Sequence, residues 1–372
     1  MNFFSKNFFL NIPFFSKINL FKDYYLSKTN DVSPPKIISV RLVSPKDSFS
    51  VYSACDGFYG IKPGFVRENI SNNFLSEDLV KLIDYSALIN AEFFLWGDDI
   101  ASSPFFFELL SALSERKLRC RLLTVCSSLE PYMKFFEDGT IEEVIFSFEV
   151  PPNQKIFLKR AEQYDFYQNS VHSINLLVNQ KKIKCKISGS MIINSVNCYF
   201  IDEMLTWADI HAMDTFYFFH SSLVSLEQGK RHSGKFMDYF KIIPDSWKSK
   251  SFDGKHLDYS AIVFELSRVK KNKFITKSIF CPELYAWQIQ EYYNNVNFSS
   301  SCRKCYAPWF MMNLLENGDI VSCANHPDYI YGNIKDYSFE NLWNGELASD
   351  FRTQLILDEK FPICTRCNCF YI

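Results

Sequence analysis

Between residues 37 and 219, short apolar runs alternate with helix-length amphipathic stretches, and this alternation constrains the fold more than any other feature. Ile37–Val43 (IISVRLV) is β-branched and apolar, as a buried strand should be. Glu92–Trp96, Arg121–Val125, Glu143–Phe148, Lys184–Ile193 and Thr215–Phe219 repeat that character. Helices are expected between them. One starts at Ser76, with Leu79, Val80, Leu82 and Ile83 on one face, and another runs from Ser103, with Pro104 at the first helical position, to about Arg116. Others are expected near Leu129–Phe136, across Ile156–Val178 and around Phe200–Trp207. Strands and helices alternating at this interval form parallel βαβ units, hence an α/β fold: a full or partial barrel, or an open doubly wound sheet. Either architecture gathers ligands at the C-terminal ends of its strands. Residues 220–300 are less regular. Gln228–Lys235 and Ser246–Lys255 read as polar loops, Tyr259–Ser267 as a strand and Pro282–Tyr293 as a helix.

The last seventy-one residues hold six of the twelve cysteines: Cys302, Cys305, Cys323, Cys364, Cys367 and Cys369. Cys302-x-x-Cys305 and Cys364-x-x-Cys367 each place two sulfurs on one tight turn, and two such turns, or one plus isolated cysteines, close a four-sulfur shell. Cysteines are also ordinary buried apolar residues, but packing does not require paired spacing. Spacing alone suits zinc as readily as iron–sulfur, because tetrahedral thiolate shells serve both. Cys120, Cys185 and Cys198 read as packed core thiols.

The chain has 372 residues, enough for one large domain or two ordinary ones. A net charge of −2 gives no general pull toward nucleic acid, and Lys270–Lys273 with Arg268 and Lys277 is a solvated charge run. No apolar run is long enough to span a bilayer. The Phe-rich N-terminus is interrupted by Lys6, Asn11, Pro13, Lys17 and Lys22 and lacks a secretory cleavage pattern. It can lie on a membrane surface, or pack on its own domain or a partner. A cytoplasmic location with reduced thiols is the expectation, which favours a metal site over disulfides. The six histidines form no HxxxH or HExxH pair. His211, Asp214 and His220 flank the sixth expected strand near a possible barrel mouth, toward which Asp98, Asp99 and Glu149 also point, either to bind a cationic substrate or to cap helices.

The C-terminal stretch resembles the SPASM domain of the radical SAM superfamily. It carries Cys305-Tyr-Ala-Pro308-Trp309, Gly318 after twelve intervening residues, Cys323, Gly332-Asn333-Ile334, Leu342-Trp343-Asn344, Phe351-Arg352 and Pro362-Ile-Cys364-Thr-Arg-Cys367. The resemblance implies one auxiliary 4Fe-4S cluster on Cys305, Cys323, Cys364 and Cys367, with Cys302 the first alternative ligand and Cys369 left over. Upstream, the chain looks like the matching radical SAM partial barrel, whose CxxxCxxC loop follows the first strand. Laid on that motif, Ser48 and Tyr52 stand in two of the three cysteine positions and only Cys55 remains. A neutral hydroxyl is a poor ligand for iron beside thiolate. The Gly-Gly-Glu-Pro turn that receives S-adenosyl-L-methionine reads Trp96-Gly97-Asp98-Asp99. The Thr-Asn-Gly turn reads Thr124-Val125-Cys126, the Ser-x-Asp reads Ser147-Phe148-Glu149, and Asn197 falls where the family often keeps an Asn.

The resemblance therefore implies a partial (βα)6 TIM-like barrel of radical SAM type followed by a small cysteine-rich SPASM-like module. The expected divisions are an extension (1–36), a degenerate barrel (37–220), barrel completion and linker (221–298) and an iron–sulfur domain (299–372). Cys55, Gly97 and Asp98 are the remaining cofactor-binding candidates, and no catalytic residue is assigned. The implied role is binding, electron transfer or support of an active radical SAM paralogue or a peptide substrate. The alternatives are an active peptide- or small-molecule-modifying enzyme with an atypical cluster site, and a zinc-binding structural protein.

Overall fold

A computed structural model describes residues 29–42, 76–97, 99–125, 128–154, 161–180, 183–250, 257–295, 298 and 304–367. Seven strands run parallel in chain order: β1 (Ile37–Arg41), β2 (Glu92–Trp96), β3 (Cys120–Thr124), β4 (Ile141–Phe148), β5 (Lys186–Ile193), β6 (Thr215–His220) and β7 (Lys277–Cys281). Helices fill the crossovers: α1 (Ser76–Ile89), α2 (Phe106–Glu115), α3 (Met133–Glu137), α4 (Ala161–Asn179), α5 (Ile201–Ile210), α6 (Leu226–Phe240), α7 (Tyr259–Lys271) and α8 (Ala286–Asn294). The chain then returns to the opposite flank of β1, where β8 (Met311–Leu314) pairs in parallel, Ile37 opposite Met311. Strands β9 (Asp319–Val321) and β10 (Ile330–Asn333) follow antiparallel, and α9 (Phe339–Asn344) and α10 (Glu346–Asp358) close the region. Among the described residues the ten strands form one sheet, ordered β10-β9-β8-β1-β2-β3-β4-β5-β6-β7, an open α/β wall.

The two faces of this wall differ. On one, Val40, Phe93, Leu95, Leu122, Phe146, Phe148 and Phe218 are at most 1% exposed. This face meets the helices, as where Phe148 sets its ring 5.2 Å from Trp207 of α5. On the other face polar groups bond from strand to strand. Trp96 Nε1 donates to Ser39 Oγ (2.9 Å), Ser188 Oγ to Glu143 Oε1 (2.6 Å) and Tyr217 OH to the same carboxylate oxygen (3.4 Å). Buried polar groups persist only when bonded, and this network satisfies that condition.

Several expectations are corrected. Tyr259–Ser267 is not a strand but the bulk of α7, because Asp258 caps it (Ala261 N to Asp258 Oδ1, 2.9 Å) and the buried positions Ile262, Glu265 and Val269 recur at helical spacing. The seventh strand is Lys277–Cys281. Gln228–Lys235 is helical within α6, which opens on a capping box between Ser225 and Gln228. Ser246–Lys250 forms a 3-10 turn, with residues 251–256 outside the description. Val80 is 41% exposed and leaves the buried face that Leu79, Leu82 and Ile83 share. Helix α2 begins at Phe106, and Ser103 contributes only its carbonyl to the first turn (Phe106 N, 3.1 Å). Among the described residues no helix is long and apolar enough to cross a membrane.

Candidate metal centre

The second cysteine pair sits on the 3-10 turn Pro362–Arg366 after α10, closed by Cys367 N donating to Cys364 O at 3.2 Å. Cys305 is tied to the end of α10 by its N–H to Glu359 O (3.1 Å). Cys323 lies just beyond β9, in a turn where His326 N reaches its carbonyl at 3.3 Å. Burial pushes the Cys305 thiol far above its ordinary pKa, and the charges that Cys364, Cys323 and Cys367 would carry push it further. All four sulfurs thus share one electrostatic neighbourhood. Asn325 donates its amide N–H to Cys367 Sγ at 3.0 Å. Among the described residues no three Cys, His, Asp or Glu side chains are drawn tightly enough to hold a metal ion as they stand, so the thiols share a neighbourhood without forming a closed shell.

The donor set fits an iron–sulfur cluster in its chemistry. Four thiolates this close would repel one another and become favourable only with a cationic centre among them, and an amide already aimed at sulfur would help to orient and stabilise such a ligand. Cys302, Cys369, Cys55, Ser48, Tyr52, Cys126 and Asp98 lie outside the described residues.

Each resemblance motif around the thiols has a physical role. Arg352 is fully buried. Its Nε donates to Pro308 O (2.9 Å), its guanidinium to Trp343 O (2.7 Å) and Thr29 O (3.0 Å), and its plane lies 4.5 Å over the Trp343 ring. Trp343 Nε1 donates to Ser33 O (3.0 Å), and Asn344 Oδ1 accepts from Val32 N (3.0 Å), so the segment entering β1 is sewn to α9. Gly318, at φ +91°, makes room for Asn333, whose amide bonds Asn317 O (3.0 Å) and Asp319 Oδ1 (2.9 Å) and shapes the β8–β9 turn.

Arg366 and Thr365, between the paired cysteines, fasten this turn to the barrel. The buried Arg366 guanidinium donates to Leu223 O after β6 (3.3 Å), to Asn295 O at the end of α8 (2.6 Å) and, through Nε, to Tyr292 O. Gln228 of α6 donates to Thr365 Oγ1 at 2.9 Å. Arg366, Gln228 and Asn325 went unread in the sequence. For Arg366 a signal existed, since a lone arginine between two ligand-spaced cysteines is an expensive residue to bury without carbonyl partners.

At the upstream strand ends, Gly97 packs directly on the exit of β1, where a Cβ would stand 1.9 Å from Leu42 O. Trp96 carries the Arg41 guanidinium 5.5 Å over its ring, and Arg41 reaches Glu316 in the β8–β9 turn (3.2 Å). Asp99 accepts from Ser102 Oγ and organises the turn after β2. The fully buried Asn197 donates to Glu149 O (2.7 Å) and Ile192 O (2.8 Å), joining the exits of β4 and β5. His211 and Asp214 sit at the start of β6, the end opposite the mouth. There His211 Nδ1 pairs with Trp207 O (2.8 Å), and Asp214 accepts from Ile187 N (2.8 Å). His220 lies at the mouth end but on the helix-facing side, with Nδ1 on Tyr293 OH (2.8 Å). Cys120 and Cys198 are fully buried and Cys185 is half-buried.

Comparison with solved structures places this architecture. Streptococcus suis SuiB bound to precursor peptide SuiA superimposes with a TM-score of 0.54 at 14% identity, over 95% of this chain and 75% of that one. anSMEcpe with bound AdoMet gives 0.53 at 15% identity, over 88% and 84%. At these identities the likeness shows the fold alone, the TIM-like α/β architecture that the two proteins share. Residues 302–368 match the model of the SPASM family, an iron-sulfur cluster-binding domain. The chain thus joins the fold of these structures to a C-terminal segment that matches the SPASM family model. No curated protein matches it in sequence.

Proposed function

We propose that this chain holds one auxiliary 4Fe-4S cluster on Cys305, Cys323, Cys364 and Cys367 and does not cleave S-adenosyl-L-methionine in the ordinary way. It serves instead in binding, electron transfer or support of peptide or natural-product modification. The reading rests on the gathering of four thiols beneath a barrel whose sequence keeps only Cys55 of a three-cysteine motif. When bound, such a cluster supplies one-electron transfer. The protein's own contribution is to orient it: Arg366, Thr365 and Gln228 fix the Cys364–Cys367 turn against the barrel rim. The division at about residue 299, with a degenerate barrel before it, belongs to the same proposal, as does Cys302 as the substitute ligand.

A peptide partner is supported by two of the structural neighbours, which were crystallised with peptides: SuiB with SuiA, and anSMEcpe with the Kp18Cys peptide. An active paralogue that this chain assists belongs to the same reading. The bound AdoMet of anSMEcpe favours a second reading, an active enzyme with an unusual cluster site, for which Cys55, Gly97 and Asp98 remain the candidates.

Iron, acid-labile sulfide and zinc per chain after anaerobic purification decide between these readings. About four irons with matching sulfide is the expected result, and about eight would establish a second cluster and favour the active enzyme. Zinc without sulfide would replace both with a structural site.

A further inference from the structure

We propose that the Tyr331 hydroxyl donates a hydrogen bond into the sulfur shell at Cys305 and Cys323 and thereby raises the reduction potential of the cluster held there. The inference rests on the auxiliary-cluster reading above.

Strand β10 pairs with β9 through Ile330 opposite Val321 and Gly332 opposite Ile320, and the register slips between them. Tyr331 is the extra residue of that bulge, and a bulge re-aims the side chain it carries. Gly332 permits the distortion, since it adopts φ +144° and a Cβ there would lie 2.8 Å from Leu342 and 3.0 Å from Tyr337. The re-aimed phenol ends in the protein interior, where its oxygen is inaccessible to solvent and makes no hydrogen bond. Its neighbours identify the place. Burial first, then Tyr329, Cys323 and Cys305, hold the phenol well above its ordinary pKa, against an opposing pull from Arg352. The β9–β10 pairing sets Tyr331 beside the strand that leads into Cys323, within electrostatic reach of Cys323 and Cys305.

A buried hydroxyl without a partner is destabilising, and natural folds rarely leave that cost uncompensated. The ring alone does not require it. Tyr331 packs edge-on to Tyr329 (6.1 Å) and Phe351 (6.3 Å), contacts that phenylalanine would make equally well. The oxygen has a use once thiolate or sulfide stands beside it, where it can give its proton to sulfur. Hydrogen bonds to cluster sulfur stabilise the more negative, reduced state and so raise the potential. Asn325 supplies a comparable bond on the opposite ligand pair, at Cys367.

The test compares the full-length protein with Tyr331→Phe. Iron and sulfide are counted, the midpoint potential is measured by redox titration followed by electron paramagnetic resonance, and the melting temperature of the metal-free form is recorded. The expected result is unchanged iron and sulfide, a more negative midpoint and an unchanged or higher metal-free melting temperature. Loss of iron with unchanged metal-free stability would also support the contact. Coincident midpoints with iron present would overturn this inference alone. A variant that loses iron and is less stable without metal would overturn it too, by showing a structural role. Zinc without sulfide in the unmodified protein would overturn the inference together with the cluster reading.

Discussion

Replacing Arg352 with methionine removes the buried cation that holds three backbone carbonyls, Pro308, Trp343 and Thr29, at 2.7–3.0 Å. Each charge-assisted bond contributes about 1.5–3 kcal/mol, and each carbonyl stranded in the interior costs about 1–3 kcal/mol. Methionine recovers part of the packing on Trp343, and the guanidinium's own desolvation cost disappears, which offsets several kcal/mol. The balance is a loss of about 3–5 kcal/mol, or a fall of roughly 5 °C in melting temperature for a chain of this size. Guanidinium denaturation of the metal-free protein, monitored by circular dichroism, measures it directly. Because Pro308 lies three residues beyond Cys305, iron per chain should fall as well. Arg352→Lys keeps the charge but cannot reach three divergent acceptors from one ammonium, so it should recover less than half of the loss. Unfolding of R352M within about 1 kcal/mol of the unmodified protein would refute the claim that Arg352 fastens this region.

Gly97→Ala drives a methyl group to 1.9 Å from Leu42 O, so β1 and the turn after β2 must separate; a loss of about 3 kcal/mol is expected by denaturation, and a neutral result would refute the close approach. Stability should also fall in mild acid. Burial holds His220 at about 3 in the folded protein against an ordinary 6.5, so from 6.5 down to about 3 the unfolded chain binds a proton that the folded chain refuses. That stability is intact above 6.5 and is lost at up to about 1.4 kcal/mol per pH unit as the pH drops through this window. His232, also held at about 3 by burial, adds a parallel loss, so His220→Phe should remove about half of the histidine slope between pH 6 and 5, and unchanged slopes would refute the assignment.

The parallel wall was legible because β-branched and aromatic runs at regular intervals can satisfy their backbones only by pairing with one another. Glu92–Trp96 was read at its actual limits, and Thr215–Phe219 fell one residue short at His220. Tyr259–Ser267 misled because Tyr, Ile, Val and Phe favour strands, whereas Asp258 and the spacing of Ile262, Glu265 and Val269 impose a helix; local capping outweighed propensity. At the candidate site, spacing and motif marked Cys305, Cys323, Cys364 and Cys367, whose thiols share one electrostatic neighbourhood in the structure. Their supports were not, because Arg366 reaches Leu223, a separation of 143 residues, and Asn325 reaches Cys367 across 42. Contacts between distant segments leave no local pattern. The face assignment of His220 depended likewise on register, which positions along one strand do not reveal.

The position of β8 beside β1 makes the two halves of the molecule unequal. Ile37–Arg41 is buried along its whole length, and among the described residues its outer flank is closed by β8, whose Met311, opposite Ile37, arrives 274 positions later. A chain cut near residue 298 would therefore leave a bare, apolar margin ready to recruit strands from other molecules. Whatever chemistry the terminal segment performs, it is also the seam that completes the first strand.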